Sequence, residues 1–219
     1  MILVPIRDEN PTQRVPWMTG LLVGVNVAVY AWQLFAGGTV VANEWGFVPA
    51  DLSGGERGPD GLVTLLTSMF LHGSILHLVS NLVYLWVFGN NIEDVFGAIP
   101  FVLFYLLAGL GGHVAHYLTN ATSPLPTIGA SGAISGVLAA YLLKFPKARV
   151  QSLLFLFIFL RWVRLPAALV IGYWLLLQIV NGAAELGGAS HSGVAWFEHI
   201  GGFAAGILLF VPFGGRRRA

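Results

Sequence analysis

The chain has 219 residues, of which 56% are hydrophobic and 10% charged, with a mean hydropathy of +0.77 and a formal net charge of +1. Soluble domains carry about 25% charged residues, so this composition excludes a water-soluble globule, and the near-neutral charge gives no reason to expect nucleic acid. Cysteine is absent, which excludes disulfides and cysteine catalysis.

In chain order, the first residues, MILVPIRDENPTQRVP, mix charges with prolines and lack the basic, apolar and cleavage segments of a signal peptide. Residues 1–15 are expected to be a short retained tail. Trp17–Ala36 then supplies a charge-free apolar run of the ~20 residues a membrane span needs. Further candidate spans follow at Leu62–Gly89, Ala98–Leu118, Ala130–Leu143, Leu165–Val180 and Ala195–Phe213. The expected fold class is an all-α membrane protein, a six-helix bundle over residues 16–213 with no room for a second folded domain. Residues 214–219 form a basic tail whose arginines, 216–218, read as an anchor.

Assigning each Lys and Arg to a side of this six-span arrangement gives a strong bias. Arg7, Arg14, Lys144, Lys147, Arg149, Arg161, Arg164, Arg216, Arg217 and Arg218 fall on the side of the N-terminus, and only Arg57 on the other. Both termini are therefore expected inside. The apolar stretch Val150–Leu160 is too short to span and is bracketed by basic residues, so it is read as an interfacial or re-entrant piece on the inner face.

With that orientation the second, fourth and sixth spans all run from outside to inside, and their first turns share one depth. The fourth is about 14 residues, roughly 21 Å at 1.5 Å per residue, too short for a hydrocarbon core of about 30 Å. It opens with TIGASGAIS at 127–135, so Ser131 starts its helix below the outer surface, where non-helical backbone is tolerated only inside protein or beside water.

Polar and ionisable residues within spans mark function by default. HGSILHLVSN places His72, His77 and Asn81 near the outer end of the second span, with His77 and Asn81 on one helix face. EHIGGFAAG places His199 near the outer end of the sixth. A serine hydroxyl becomes a nucleophile when a neighbouring base takes its proton, and histidine is the usual base. Ser131 and His199 are thus the candidate dyad. The Asn81 amide, the His77 ring N–H and the Ser131 backbone N–H are the candidate oxyanion donors. Gly129 and Gly132 let backbone and substrate approach closely.

Each piece also has a plainer reading. Ser131 beside glycine fits close helix packing, Asn81 fits interhelical hydrogen bonding, and Gly202 and Gly206 form a small-xxx-small stripe for packing. His113 and His116 are three apart in GGHVAHYL, but no third ligand stands near them in sequence and no HExxH occurs, so packing or outer-loop hydrogen bonding is expected rather than a metal site. Glu93 and Asp94 are expected to cap helix ends. Glu198 points about 100° away from His199 on a helix and is not promoted to a triad member.

GASG at 129–132, His72-x4-His77-x3-Asn81 in the second span, and EHIGG followed by Gly206 in the sixth resemble, in order and placement, the rhomboid intramembrane serine proteases. The tail IRDENPT and the segment FPKARV resemble bacterial members, so the resemblance covers nearly the whole chain and implies a multi-pass protein of the bacterial inner (plasma) membrane. It implies Ser131 as nucleophile, His199 as general base and acid, His77 and Asn81 with backbone N–H as oxyanion stabilisers, and a structural role for His72. The implied partners are the lipid bilayer and a transmembrane protein substrate, cut near its outer membrane boundary after a small residue. No metal, nucleotide or other cofactor is implied. Segments with Gly or Pro that unwind readily should be favoured, because helical carbonyls are already hydrogen-bonded.

Two features depart from that pattern. Several bacterial members carry a tyrosine four residues after the nucleophile that stacks on the base histidine; here Ser135 stands there, so another group must fix the His199 ring. The Trp-Arg pair of the first outer loop is also missing, since Trp45 and Arg57 are far apart. The alternatives are a catalytically silent relative that binds membrane proteins, which would lack the Ser or His, and a small transporter, which would show internal repeats. The fifth span, LPAALVIGYWLLLQIV, is the expected gate, with Trp174 and Leu177 as its bulky residues.

Overall fold

The computed structural model describes residues 2–54, 61–156, 158–188 and 193–214. Glu56, Arg57 and Asp60 of the first loop, and Arg216, Arg217 and Arg218 of the basic tail, lie outside the described residues.

The fold is mostly helical. The main helices are α1 (Trp17–Phe35), α5 (Ile75–Phe96), α6 (Ala98–Asn120), α7 (Ser131–Lys144), α8 (Ala167–Leu186) and α9 (Trp196–Phe210). Short helices α2 (Thr39–Trp45), α3 (Pro49–Leu52) and α4 (Gly61–Thr67) fill the connection between α1 and α5. By length and composition α1, α5, α6 and α8 are able to cross a membrane, while α7 and α9 are shorter apolar helices. Five of the six expected spans are single helices with boundaries displaced by a few residues, the fifth running on to Leu186; the largest change is in the second.

The second expected span is not one helix from Leu62. It breaks after a 3₁₀ turn, Ser68–Phe70, and restarts at Ile75. The cause is local: Ser74 is extended and caps α5, its hydroxyl accepting from the His77 N–H at 3.1 Å, after Gly73. His72 consequently lies in the break, while His77 and Asn81 lie on the first turns of α5.

Residues expected as an inner tail and an interfacial piece pair into a sheet instead. Strands β1 (Ile2–Asp8), β2 (Arg149–Leu156) and β3 (Phe159–Pro166) form an antiparallel sheet in the order β1-β2-β3. An extended apolar stretch has unmet backbone donors and acceptors, and a hairpin pairs them without a crossing. The register Arg149↔Pro166 returns Arg164 to the end of the hairpin where Arg149 lies, while Arg161 stands near its turn. Pairing of β1 with β2 puts the segment before α1 and the segment between α7 and α8 on the same side of the bundle. Asp8 ties this sheet to the helices, its Oδ2 accepting from Tyr141 Oη and from Asn91 Nδ2, each at 2.8 Å.

On that side Glu93 caps α1 as expected. Its carboxylate accepts from the N–H groups of Met18 and Thr19 at 3.0 and 2.7 Å and from the Thr19 hydroxyl at 2.8 Å. Asp94 accepts from the Gln13 N–H at 2.7 Å.

Helix α9 sits between α6 and α7, and glycine sets the spacing. A Cβ on Gly202 would overlap the carbonyl of Gly132, one on Gly206 would lie 2.6 Å from the Gly136 Cα, and one on Gly201 would strike the Ala115 side chain. Lipid offers no water-exclusion drive between helices, so such close backbone packing is what holds α7 against α9. The buried apolar core runs through Phe88, Phe101, Phe104, Tyr105, Leu138 and Tyr141.

Candidate active site

The loop that enters α7 is fixed from three directions. Phe47 and Thr127 exchange backbone hydrogen bonds at 3.0 and 2.7 Å, Thr127 Oγ1 meets His116 Nε2 at 3.0 Å, and the Gly129 N–H donates to the Ser68 carbonyl at 2.9 Å. Gly129 has φ +132°, a region closed to side chains at ordinary cost, and a Cβ there would lie 2.7 Å from His77 Nε2. Ser131 follows as the first residue of α7, where N–H groups have no acceptor within the helix.

The glycine contacts between α7 and α9 bring His199 to this point. His199 Nε2 lies 2.8 Å from Ser131 Oγ. The other ring nitrogen, Nδ1, lies 2.8 Å from Oε1 of Gln178 on α8. Trp174 and Trp196 flank the imidazole, with ring centroids 5.9 and 6.2 Å away.

Hydrogen bonds at the break before α5 assign the tautomers of His72 and His77. His72 Nδ1 meets the Phe70 carbonyl at 3.2 Å; a carbonyl only accepts, so Nδ1 carries the proton and Nε2 accepts. The atom 3.0 Å from Nε2 is therefore the amide nitrogen of Asn81. Gln33 of α1 holds the His72 backbone, donating to its carbonyl at 2.9 Å and accepting from its N–H at 3.1 Å. The Gly73 N–H donates to His77 Nδ1 across 3.4 Å, which leaves Nε2 as the protonated nitrogen, on the side facing Gly129.

Ser131, His199, His77 and Asn81 all border a single cleft of about 940 Å³, which Trp174 also lines. Gly132 and Gly202 pack behind the serine. Gly132 faces Glu198, which is buried, with Oε1 3.5 Å from His113 Nδ1. Glu198 thus turns away from His199, as its helical phase predicts. His113 and His116 each use Nε2 in a hydrogen bond, to the Ser68 and Thr127 hydroxyls. Ser135, four residues after Ser131, returns its hydroxyl to the Ser131 carbonyl at 2.6 Å and does not reach the imidazole.

Sequence reasoning missed two residues, Gln33 and Gln178. Each is a polar side chain in an otherwise apolar run, the same signal that singled out Asn81 and the histidines.

The family model for the Rhomboid domain matches residues 59–216. The chain belongs to the rhomboid family. Curated rhomboids with related sequences include RHOMBOID-like protein 4 of Arabidopsis thaliana, 35% identical over 147 residues, 66% of this chain and 32% of that protein. Rhomboid protease GluP of Bacillus subtilis (strain 168) is 33% identical over 155 residues, 69% of this chain and 27% of that protein. The human mitochondrial presenilin-associated rhomboid-like protein is 35% identical over 132 residues, 57% of this chain and 35% of that protein. The chain spans only about a third of the length of these rhomboids. With its apolar helices, this rhomboid is an integral, multi-pass membrane protein.

Proposed function

We propose that this rhomboid is an intramembrane serine endopeptidase that cleaves transmembrane segments of other membrane proteins near the outer membrane boundary. The observation that carries the reading is the 2.8 Å approach of His199 Nε2 to Ser131 Oγ in a cleft bordered by His77 and Asn81. The orientation is with both termini inside, residues 16–213 forming the catalytic membrane domain between a short N-terminal segment and a basic C-terminal tail. The compartment is the bacterial inner membrane.

Each step follows from the placement of these groups. His199 Nε2 takes the Ser131 proton as Oγ attacks the scissile carbonyl, and the imidazolium returns that proton to the leaving amine. The alkoxide of the tetrahedral intermediate is met by the Ser131 backbone N–H, His77 Nε2–H and the Asn81 N–H not used on His72. Collapse gives an acyl-enzyme on Ser131. Water, activated by His199, then releases the new carboxylate. No metal ion or cofactor takes part.

A helix is a poor substrate because its carbonyls are hydrogen-bonded and shielded. The substrate segment therefore unwinds, and residues of low helix propensity such as Gly or Pro favour the reaction. The family also contains catalytically silent binding proteins, but those lack the Ser or the His; the Ser131–His199 contact favours the enzyme.

The test is cleavage of a reporter transmembrane segment carrying a small residue near its outer boundary and a Gly-Pro pair within it, co-reconstituted with the native protein or Ser131→Ala in lipid vesicles. A cut near the outer boundary by the native protein alone supports the reading. Equal cleavage by both proteins contradicts it.

A further inference from the structure

The geometry points to Gln178 as the positioning residue of His199. This inference rests on the dyad reading and asks what holds the base, given that Ser135 replaces the stacking tyrosine and Glu198 turns away.

Gln178 is 4% exposed and is the one polar side chain among the buried residues of α8, the others being Ala167, Val170, Ile171 and Gly182. Its amide has two ends with different partners. Nε2 donates to the carbonyl of Trp174, one turn earlier on its own helix, at 2.9 Å. A carbonyl accepts and never donates, so this bond fixes which end of the amide is nitrogen. Oε1 is thereby left facing His199 Nδ1, at 2.8 Å.

An amide oxygen has no proton to give, so Nδ1 must be the protonated nitrogen of the neutral ring. Nε2 is then unprotonated and accepts from the Ser131 hydroxyl at 2.8 Å. The chain of bonds from Trp174 carbonyl to Gln178 to His199 to Ser131 thus selects the tautomer that a general base needs. During attack, when Nε2 gains the serine proton, Nδ1–H stays on Gln178 and the amide dipole opposes the new positive charge. Gln178 fills the place of the carboxylate in a Ser-His-Asp triad, with a dipole instead of a charge.

The placement has a second consequence. Gln178 belongs to α8, whereas His199 belongs to α9, and α8 presents Leu169, Leu176, Leu177, Ile179 and Val180 outward. Displacement of α8 from α9 breaks the bond to Nδ1, so the base is oriented only while α8 lies against α9.

The test uses the full chain in detergent with a fluorescent fluorophosphonate, separating the maximal inactivation rate from the half-saturating concentration. Gln178→Met keeps the volume and loses the acceptor; Gln178→Glu keeps an oxygen toward Nδ1 whether ionised or protonated. The expected result is a maximal rate lowered roughly 10- to 100-fold in Gln178→Met with half-saturation unchanged, and recovered in Gln178→Glu to within about threefold of native. A residue that merely glues α8 to α9 would lower the unfolding temperature without this split. Gln178→Met reacting like the native protein overturns the inference.

A second readout needs no variant at Gln178. In protein labelled with ¹⁵N-histidine, the His199 signals, identified by their loss in His199→Ala, should show Nδ1 protonated and Nε2 bare. The opposite tautomer overturns the assignment even if Gln178→Met does not fold. A folded native protein that shows the expected tautomer but never labels contradicts the dyad reading while leaving the role of Gln178 in place.

Discussion

Asn81 Nδ2 lies 3.0 Å from His72 Nε2, and the His72 backbone is gripped on both sides by Gln33 of α1. One N–H of the Asn81 amide is thereby spent on orientation, and the other is held at the cleft. Removing the donor itself, with Asn81→Ala, should lower the maximal fluorophosphonate inactivation rate by about 10²-fold, the scale of a single oxyanion donor. His72→Ala leaves the donor present and unanchored, so its loss should be smaller. A larger loss in His72→Ala than in Asn81→Ala would show that His72 acts on substrate directly.

Gly129→Ala should inactivate without unfolding. The φ of +132° strains any side chain, and the added Cβ falls 2.7 Å from His77 Nε2, so the His77 ring must move from the cleft. Inactivation should slow at least as much as in His77→Ala, in a protein that still folds but whose unfolding temperature is lowered by the backbone strain. A variant that reacts at the native rate would place His77 outside the oxyanion site.

Gly202→Val should fail differently. Its side chain would overlap the Gly132 carbonyl, on a backbone that has no room to give, so α9 must separate from α7. Both the unfolding temperature and the labelling should collapse together. Retention of stability with loss of labelling alone would show that the α7–α9 contact positions the dyad without holding the bundle.

Much of this was legible in the sequence because polar residues are conspicuous against an apolar background. Ser131, His77, Asn81 and His199 each interrupt a span, and helical phase correctly separated Glu198 from His199. Gln178 meets the same criterion, but a neutral amide in a span fits interhelical hydrogen bonding equally well, and nothing in the sequence shows that α8 brings it to His199. The sheet was hidden for a physical reason: periodicity cannot distinguish a short, continuous apolar run such as Val150–Leu160 from a helix fragment, and besides its local partner β3 the strand β2 pairs with one about 150 residues away in the N-terminal segment. The break at His72 was marked by Gly73 and Ser74, signals of a helix start that a hydropathy count overrides.

Asp8 gives the sheet a pH signature. Burial raises its carboxyl above the ordinary 3.8, against hydrogen bonds from Tyr141 and Asn91 that pull the other way. Because the folded value lies above the unfolded one, its contribution is full below the unfolded value and is lost as pH rises through the folded one. The unfolding temperature of the native protein should therefore fall relative to Asp8→Asn as pH rises from about 4 into the weakly acidic range. Parallel curves for the two proteins would mean that Asp8 does not titrate differently in the folded state.

The measurement that bears most directly on the central claim is fluorophosphonate labelling of the detergent-purified native protein beside Ser131→Ala and His199→Ala. An activated serine predicts label on the native chain and none on either variant, with all three folded. A folded native protein that stays unlabelled in lipid across a range of pH, or a Ser131→Ala variant that labels like the native one, would contradict the assignment of Ser131 and His199 as the catalytic dyad.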